Sequence, residues 1–371
     1  MATNFPGSLD AFTNPSSSDT LDNPPHDQQH ADVNDAVEAL QAKVGVDGSA
    51  VTTSLDYRVA GVEQALSSRN LVYNGAMQVA QRGTSVTGIT SFGYYTADRW
   101  VCNLNSMGTW TQSVENDAPT GSGFRKSLKM LCTTADAAPA AGDYLFLQQK
   151  FEGQDLQHIK KGTSSAEQLT VSFWVKSNVT GTYIFECFDE DNTRQVSSSY
   201  SINASDTWEK KTITFSADTT GAFDNDNGSS MSVQFWLGAG TTFTSGTLNT
   251  TWASRTNANR AVGQTNLAAA TNNYWQVTGV QLEVGPQATP FEHLPYGVEL
   301  AKCQRYYQKS YSSGFFPGST NTEGLVHGSV GAANSTSLKS AHVRLPVTMR
   351  TGPTVTLYDT AGNVNLSLIH I

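Results

Sequence analysis

The hydrophobic period of this chain changes at Asn70, and that change limits what it can fold into. Before it, apolar residues recur at helical spacing. Val33, Val37, Leu40 and Val44 follow a 4-3-4 pattern, and Leu55, Val59, Val62 and Leu66 repeat it. Asp32 and Ser54 stand where N-caps are expected, and Gly45 stands where the first helix would stop. Each stripe covers about two heptads, too short for a helix stable on its own. These helices need a partner: each other, the next domain, or copies of themselves about a symmetry axis.

After Asn70 the period is two. KSLKMLC (126–132), DYLFLQQKFEG (143–153), LTVSFWVKS (169–177), TYIFECFD (182–189), WEKKTITF (208–215), MSVQFWLG (231–238) and NYWQVTGVQLEVG (273–285) read as strands. No long helical segment separates them, so they pair antiparallel. The expected fold class is mainly β, an antiparallel jelly-roll sandwich over 70–296. Segment 239–270, rich in Thr, Asn, Ala and Gly, reads as a surface loop or flap. In the stretch that opens this region, Asn74-Gly75 and Arg82-Gly83 are turn signals, and Arg99 is placed to stack on Trp100 or bridge to Asp98.

The flanks differ. Residues 1–30 form an expected extended arm, polar and turn-rich, with Phe5, Leu9 and Phe12 as anchors; 31–69 form a short helical neck. In 297–371, GVELAKCQRYYQKSY reads as one short helix. GLVHGSV (324–330), AHVRLPVTM (341–349) and PTVTLYD (353–359) read as strand-like pieces. That is too little for a self-sufficient core, so the segment docks on a neighbour or is incomplete.

Composition narrows the function classes. Hydrophobic residues make up 38% and charged residues 15%, low for a compact enzyme and suited to short strands joined by polar turns. The net charge is −9, with no basic cluster larger than Lys160-Lys161 or Lys210-Lys211, so nucleic acid is not an expected partner. No apolar run approaches the ~20 residues that span a bilayer, and membrane insertion is not expected. The first residues lack a basic segment followed by an apolar one, so no signal peptide is expected. Cys102, Cys132, Cys187 and Cys303 show no metal-like spacing and read as small buried thiols, kept reduced.

No catalytic residue is assigned, because the chain has no G-x-S-x-G, H-E-x-x-H or phosphate-loop motif. The carboxylates of CFDEDN (187–192) and FDNDN (223–227) read as solvated turns. His26 and His30 sit in Pro/Gln-rich sequence before the first helix and read as polar residues, so no metal site is assigned. The exposed-aromatic pattern is more informative. In VSFWVK, Trp174 and Lys176 point away from Val171, Phe173 and Val175. In MSVQFWLG, Gln234 and Trp236 point away from Met231, Val233, Phe235 and Leu237. Sugar C–H faces stack on aromatic rings while amide and amine groups bond hydroxyls, so Trp174, Trp236, Lys176 and Gln234 are candidate glycan contacts. The alternative is an outer face covered by a loop or a neighbouring subunit.

The order of elements carries a resemblance. HADVNDAVEALQAKVG, NLVYNGAMQVAQRGTS…YTADRW, the β core, PFEHLPYGVELAKCQRYYQKSY and RLPVTMRTGPTVTLYD together resemble tail-fibre or appendage proteins of tailed bacteriophages, over nearly the whole chain. The β core, through LTVSFWVKS, DTWEKKTITF and WQVTGVQLEVG, also resembles carbohydrate-binding modules of the galactose-binding-like type. Such modules often open with Asn-Gly-x-Phe-Glu. Here Asn74-Gly75-Ala76-Met77-Gln78 lacks the carboxylate that a structural calcium of that type would use, and no cofactor is expected. The resemblance implies a non-enzymatic virion component, assembled in the bacterial host cytoplasm. It implies a homotrimer whose arm, residues 1–30, joins other tail proteins and whose body touches host-surface glycan. Two other classes stay open: a secreted carbohydrate-binding module, and a glycan depolymerase fibre with a convergent carboxylate pair. The closing residues LSLIHI (366–371) match the translation of a sequencing-library adapter, so read-through past the natural C-terminus is expected there.

Overall fold

The computed structural model describes residues 20, 25–46, 49, 51–59, 69–312, 314–320, 322 and 345–364. The chain divides into two compact units, Met1–Arg69 and Asn70–Ile371. Most of the expected arm lies outside the described residues, as do the strand candidate 324–330 and the adapter-like 366–371.

In the first unit, α1 spans His26–Val44. It begins directly after Pro25, so Asp32 lies inside the helix rather than capping it, and His26 and His30 belong to it. The early turns are polar and carry no apolar period, which is why the alternation of residue types missed them. The C-terminus is where Gly45 sets it: its φ is 85° and its N–H bonds the Gln41 carbonyl at 2.8 Å. Ser54 accepts a hydrogen bond from the Tyr57 N–H at 3.2 Å and starts a helical turn at residues 55–59; positions 60–68 lie outside the described residues. Val33, Val37, Leu40 and Val44 are 50%, 47%, 51% and 44% exposed.

The second unit is a sandwich of two antiparallel six-stranded sheets. The strands are β1 (Ser85–Ile89), β2 (Val101–Asn105), β3 (Thr109–Glu115), β4 (Ser127–Thr134), β5 (Tyr144–Glu152), β6 (Leu169–Ser177), β7 (Gly181–Asp189), β8 (Arg194–Ile202), β9 (Glu209–Phe215), β10 (Ser229–Ala239), β11 (Ala253–Ser254) and β12 (Tyr274–Val284). The first sheet runs β1-β3-β4-β12-β6-β9 and the second β11-β8-β7-β10-β5-β2. Every strand expected between 126 and 285 forms. The strands that alternation did not reveal, β1, β2, β3, β8 and β11, lie at or next to a sheet edge. Their sequences are short or rich in polar residues, such as RQVSSSYSI in β8, which is laddered to β7 and buries Val196, Tyr200 and Ile202.

The inner faces of the sheets meet in an aromatic core. Phe235 sits edge-on to Phe185 (4.8 Å between centroids) and Phe173 (5.0 Å), with Trp275 at 5.3 Å. Each such ring stabilises the fold by about 1.5–3 kcal/mol through burial alone. All four cysteines are buried and free.

The stretch from Asn70 lies along β12. Leu71 donates to the Leu282 carbonyl at 2.9 Å, and Val280 to the Gly75 carbonyl at 3.0 Å. A Cβ on Gly75 would stand 2.1 Å from the Val280 carbonyl oxygen, so only glycine fits. Asn74 before it is fully buried, with φ 57°, and its amide bonds the Val79 backbone and the Asp98 carbonyl. Arg99 does not pair with Trp100 or Asp98. With φ 74° it turns the chain, so that Trp100 enters the core while Arg99 stacks on Tyr306 at 3.4 Å; Asp98 pairs with Gln81 and Arg82 instead.

Tyr306 follows α3 (Tyr296–Gln304), which also docks by Glu299, an acceptor for the Asn74 N–H, and by buried Cys303. A four-residue helix, α2 (Thr241–Thr244), lies in the segment after β10. The strand-like residues 353–359 form no strand; only a single bridge, Tyr358 to Val364, is made. Alternation there meets no neighbouring ladder among the described residues, and without one it does not make a strand.

Candidate functional site

The site lies on the outer face of the second sheet. Strict alternation along β5, β7 and β10 sends every second side chain away from the core, and strand register lines these up across the sheet. Gln148 on β5 pairs with Gln234 on β10, which pairs with Glu186 on β7, which pairs with Ser197 on β8. One step along, Lys150, Ser232, Phe188 and Gln195 form a second row. The 239–270 segment folds back over one end and brings Phe243, Arg255 and Arg260; Phe92 stands at the rim, 57% exposed. Between them lies an open groove of about 440 Å³, within the range of small-molecule sites.

A buried hydrogen-bond network forms its floor. Glu186 is fully buried. Arg260 grips it with Nε to Oε1 at 2.9 Å and Nη2 to Oε2 at 3.0 Å, and Trp236 donates Nε1 to Oε2 at 2.9 Å. Arg260 Nη2 also donates to Gln234 Oε1 at 2.9 Å. Gln234 and Gln148 both donate to Ser232 Oγ, at 3.3 and 2.9 Å. Gln148 is only 4% exposed, yet its Oε1 has no hydrogen-bond partner. Turning the amide over would leave its nitrogen unpaired instead. An unmet buried amide group costs about 1–3 kcal/mol.

The walls carry aromatic carbon and charge. Tyr144 packs on Phe146 (5.4 Å between centroids) and on Phe243 (5.5 Å). Half-buried Phe188 has the Arg260 guanidinium 5.4 Å and the Arg255 guanidinium 5.7 Å from its centroid. Lys150 pairs with Glu190 at 3.1 Å.

The four candidate residues do not form one site. Gln234 and Trp236 belong to this face, whereas Trp174 and Lys176 lie on the outer face of the first sheet, across the sandwich. Trp236 offers no ring to solvent. It is fully buried under Phe146 (4.9 Å) and Phe243 (5.5 Å), because the 239–270 segment covers it, and it acts as a support for Glu186. Trp174 is half-buried opposite Lys210 and Thr278, and Lys176 is tied to Asp117 with its Nζ 5.2 Å from the Trp208 ring. Gln148, Phe188, Arg255 and Phe92 were not singled out from sequence. The signal for two of them was present: alternation in DYLFLQQKF and TYIFECFD sends Gln148 and Phe188 to the same face as Gln234.

The carboxylate run at 187–192 is also not simply a solvated turn. Asp189 is fully buried, and Lys161 Nζ lies 2.6 Å from its Oδ2, 3.1 Å from Asp218 Oδ2, and 2.8 and 2.7 Å from the Thr220 and Gly221 carbonyls. The ammonium fills an oxygen cage that ties the β7–β8 turn to the irregular segment between β9 and β10. Among the described residues no group of three or more His, Cys, Asp or Glu stands together to hold a metal ion.

No protein-family model and no curated protein matches the sequence. Solved structures of partial likeness include the enzymatically active domain of tailspike protein 4 of bacteriophage CBA120, at 12% identity over 58% of this chain and 21% of that one, with a TM-score of 0.31. They also include a family 11 carbohydrate-binding module from Clostridium thermocellum, in complex with a mixed-linked tetrasaccharide, at 11% identity over 56% of this chain and 98% of that one (TM-score 0.28). A third is the xylan-binding domain of a Paenibacillus barcinonensis protein, at 13% identity over 57% of this chain and 100% of that one (TM-score 0.25). The present chain thus spans about a fifth of the tailspike domain (21%) and nearly all of the two modules.

Proposed function

We propose that this chain binds glycan in the groove on the outer face of its second sheet, and that it serves as a bacteriophage appendage holding the virion to the host surface. One observation carries the glycan reading: a groove walled by aromatic carbon and lined by the amide side chains of Gln148 and Gln234. Sugars are amphipathic in the matching way, with C–H faces for Phe188 or Phe92 and hydroxyls for Gln148 and Gln234. Binding rather than hydrolysis is supported by the two carboxylates at the groove. Glu186 is held by Arg260 and Glu190 by Lys150, whereas a glycosidase needs a pair free to exchange protons.

The appendage reading rests on the likeness of the neck, the Asn70 stretch and the CQRYY segment to phage fibres. The half-exposed stripe of Val33, Val37, Leu40 and Val44 supports a homotrimeric neck, since such a stripe is stable only when covered. The arm would join other virion proteins. Three grooves on one fibre, and several fibres on one virion, would turn weak single sites into firm attachment.

Affinity electrophoresis of the full chain in gels containing host-surface polysaccharide tests this reading. Retardation by at least one polysaccharide is expected, together with its loss in Phe188→Ala at unchanged mass in light scattering. Equal retardation of the variant and the parent would remove the groove from the account.

A further inference from the structure

We infer that the groove selects glycans that carry a carboxylate, and that Arg255 is the residue that recognises it. This rests on the glycan-binding reading above and narrows it to acidic sugars.

The chain as a whole is acidic, with net charge −9, but its groove is not. Lys150, Arg255 and Arg260 all line it. Two of these cations are already neutralised. Lys150 faces Glu190 at 3.1 Å, and Arg260 is spent on Glu186 and on the Gln234 amide. Arg255 is different. Its backbone N–H bonds the Thr193 carbonyl at 2.9 Å, which fixes the residue at the rim, but its guanidinium meets no acceptor among the described residues. It lies 5.7 Å from the centroid of Phe188, a half-buried ring that lines the groove. With Glu186 and Glu190 counted against the three cations, the groove keeps one positive charge, and that charge sits on Arg255.

A guanidinium offers its N–H groups in a planar fork that matches the two oxygens of a carboxylate. In a uronic acid the carboxylate hangs from the edge of the pyranose ring, so a ring stacked at Phe188 presents it sideways, toward the neighbouring guanidinium. The hydroxyls of the same sugar then face the Gln148 and Gln234 side chains that line the groove. A single free cation suits one carboxylate per bound repeat. The surrounding negative charge repels anions at distances beyond about 8–10 Å only weakly at physiological salt, so the contact at Arg255 dominates.

The test is titration calorimetry of the full chain with oligosaccharides of glucuronate, galacturonate and mannuronate. Each is run beside the same oligosaccharide with its carboxyls reduced to alcohols, and a sulfated galactan oligosaccharide is run in parallel. At least one uronate is expected to bind about tenfold tighter than its reduced counterpart, as a charge-assisted bidentate contact allows. Arg255→Gln should erase that difference and Arg255→Lys restore part of it. Three results would overturn the assignment while leaving the groove reading intact, provided Phe188→Ala abolishes binding: equal affinity for acid and reduced forms, a preference that survives in Arg255→Gln, or tightest binding to the sulfated sugar. Absence of binding to every oligosaccharide would overturn this inference and the groove reading together.

Discussion

Arg99 lies over the ring of Tyr306, its guanidinium carbon 3.4 Å from the centroid, and Arg82 lies over Tyr307 in the same way at 3.6 Å. The two stacks join the stretch that opens the β unit to the segment that follows it. Glu152 completes the joint. It accepts from Arg305 Nε at 2.7 Å and Nη2 at 2.6 Å and from the Tyr306 hydroxyl at 2.5 Å. Stacked, desolvated cations of this kind contribute roughly 1–2 kcal/mol each. Tyr306→Ala combined with Tyr307→Ala should therefore release α3. In hydrogen exchange, residues 296–309 should lose protection by about tenfold or more while β5, β7 and β10 keep theirs. Uniform loss across the sandwich would show that the joint is not a separable unit.

The two tryptophans chosen from sequence should behave differently. Trp236→Ala removes a buried ring and a hydrogen bond to Glu186, so a stability loss of about 3–5 kcal/mol is expected, with glycan binding lost through collapse of the groove floor. Trp174→Ala, on the opposite face of the sandwich, should leave groove binding unchanged. Urea denaturation and affinity electrophoresis on both variants distinguish them; a binding defect in Trp174→Ala without loss of stability would place a second site on the first sheet.

Lys161 is the keystone of the cage formed by Asp189, Asp218 and two carbonyls. Lys161→Met strands a buried carboxylate at Asp189 and should cost about 3–5 kcal/mol. Asp218 keeps Arg194, at 2.8 Å, and so suffers less. Adding Asp189→Asn to Lys161→Met should recover part of the loss. If the double variant is no more stable than the single one by denaturant midpoint, the cost does not arise from the stranded charge.

Acid should weaken the Glu152 joint in a definite sense. Burial raises the Glu152 carboxyl, but the hydrogen bonds from Arg305 and Tyr306 outweigh it and hold the group below its ordinary range. A carboxyl lowered in the folded state stabilises the fold fully above its unfolded pKa, and that contribution is lost as pH falls through the folded value. The Tm gap between the parent and Glu152→Gln should thus be full at pH 7 and close below about pH 4. A gap independent of pH would mean that packing, not charge, is what Glu152 supplies.

Much of the architecture was legible without coordinates. Seven strands announced themselves because a strand with one face on the core must alternate its residue types, and LTVSFWVKS marks β6 from end to end. Gly45 ended α1 where expected because only a residue tolerant of positive φ closes that turn cheaply. The strands at or next to the sheet edges were not legible, since short or polar sequences such as β1 and β8 carry few apolar residues to mark a period.

The site divides the same way. Alternation along each strand settles which side a residue faces, and it sends Gln234, Trp236, Trp174 and Lys176 outward. What outward means depends on how the strands assemble. The sheet order put Trp174 and Trp236 on opposite faces, and the returning 239–270 segment laid Phe243 over Trp236 and brought Arg260 to Glu186. Alternation is a local property, carried by the backbone of one strand. Coverage and charge pairing depend on residues tens of positions away, whose meeting is fixed by the closed sandwich and by nothing in the strand itself.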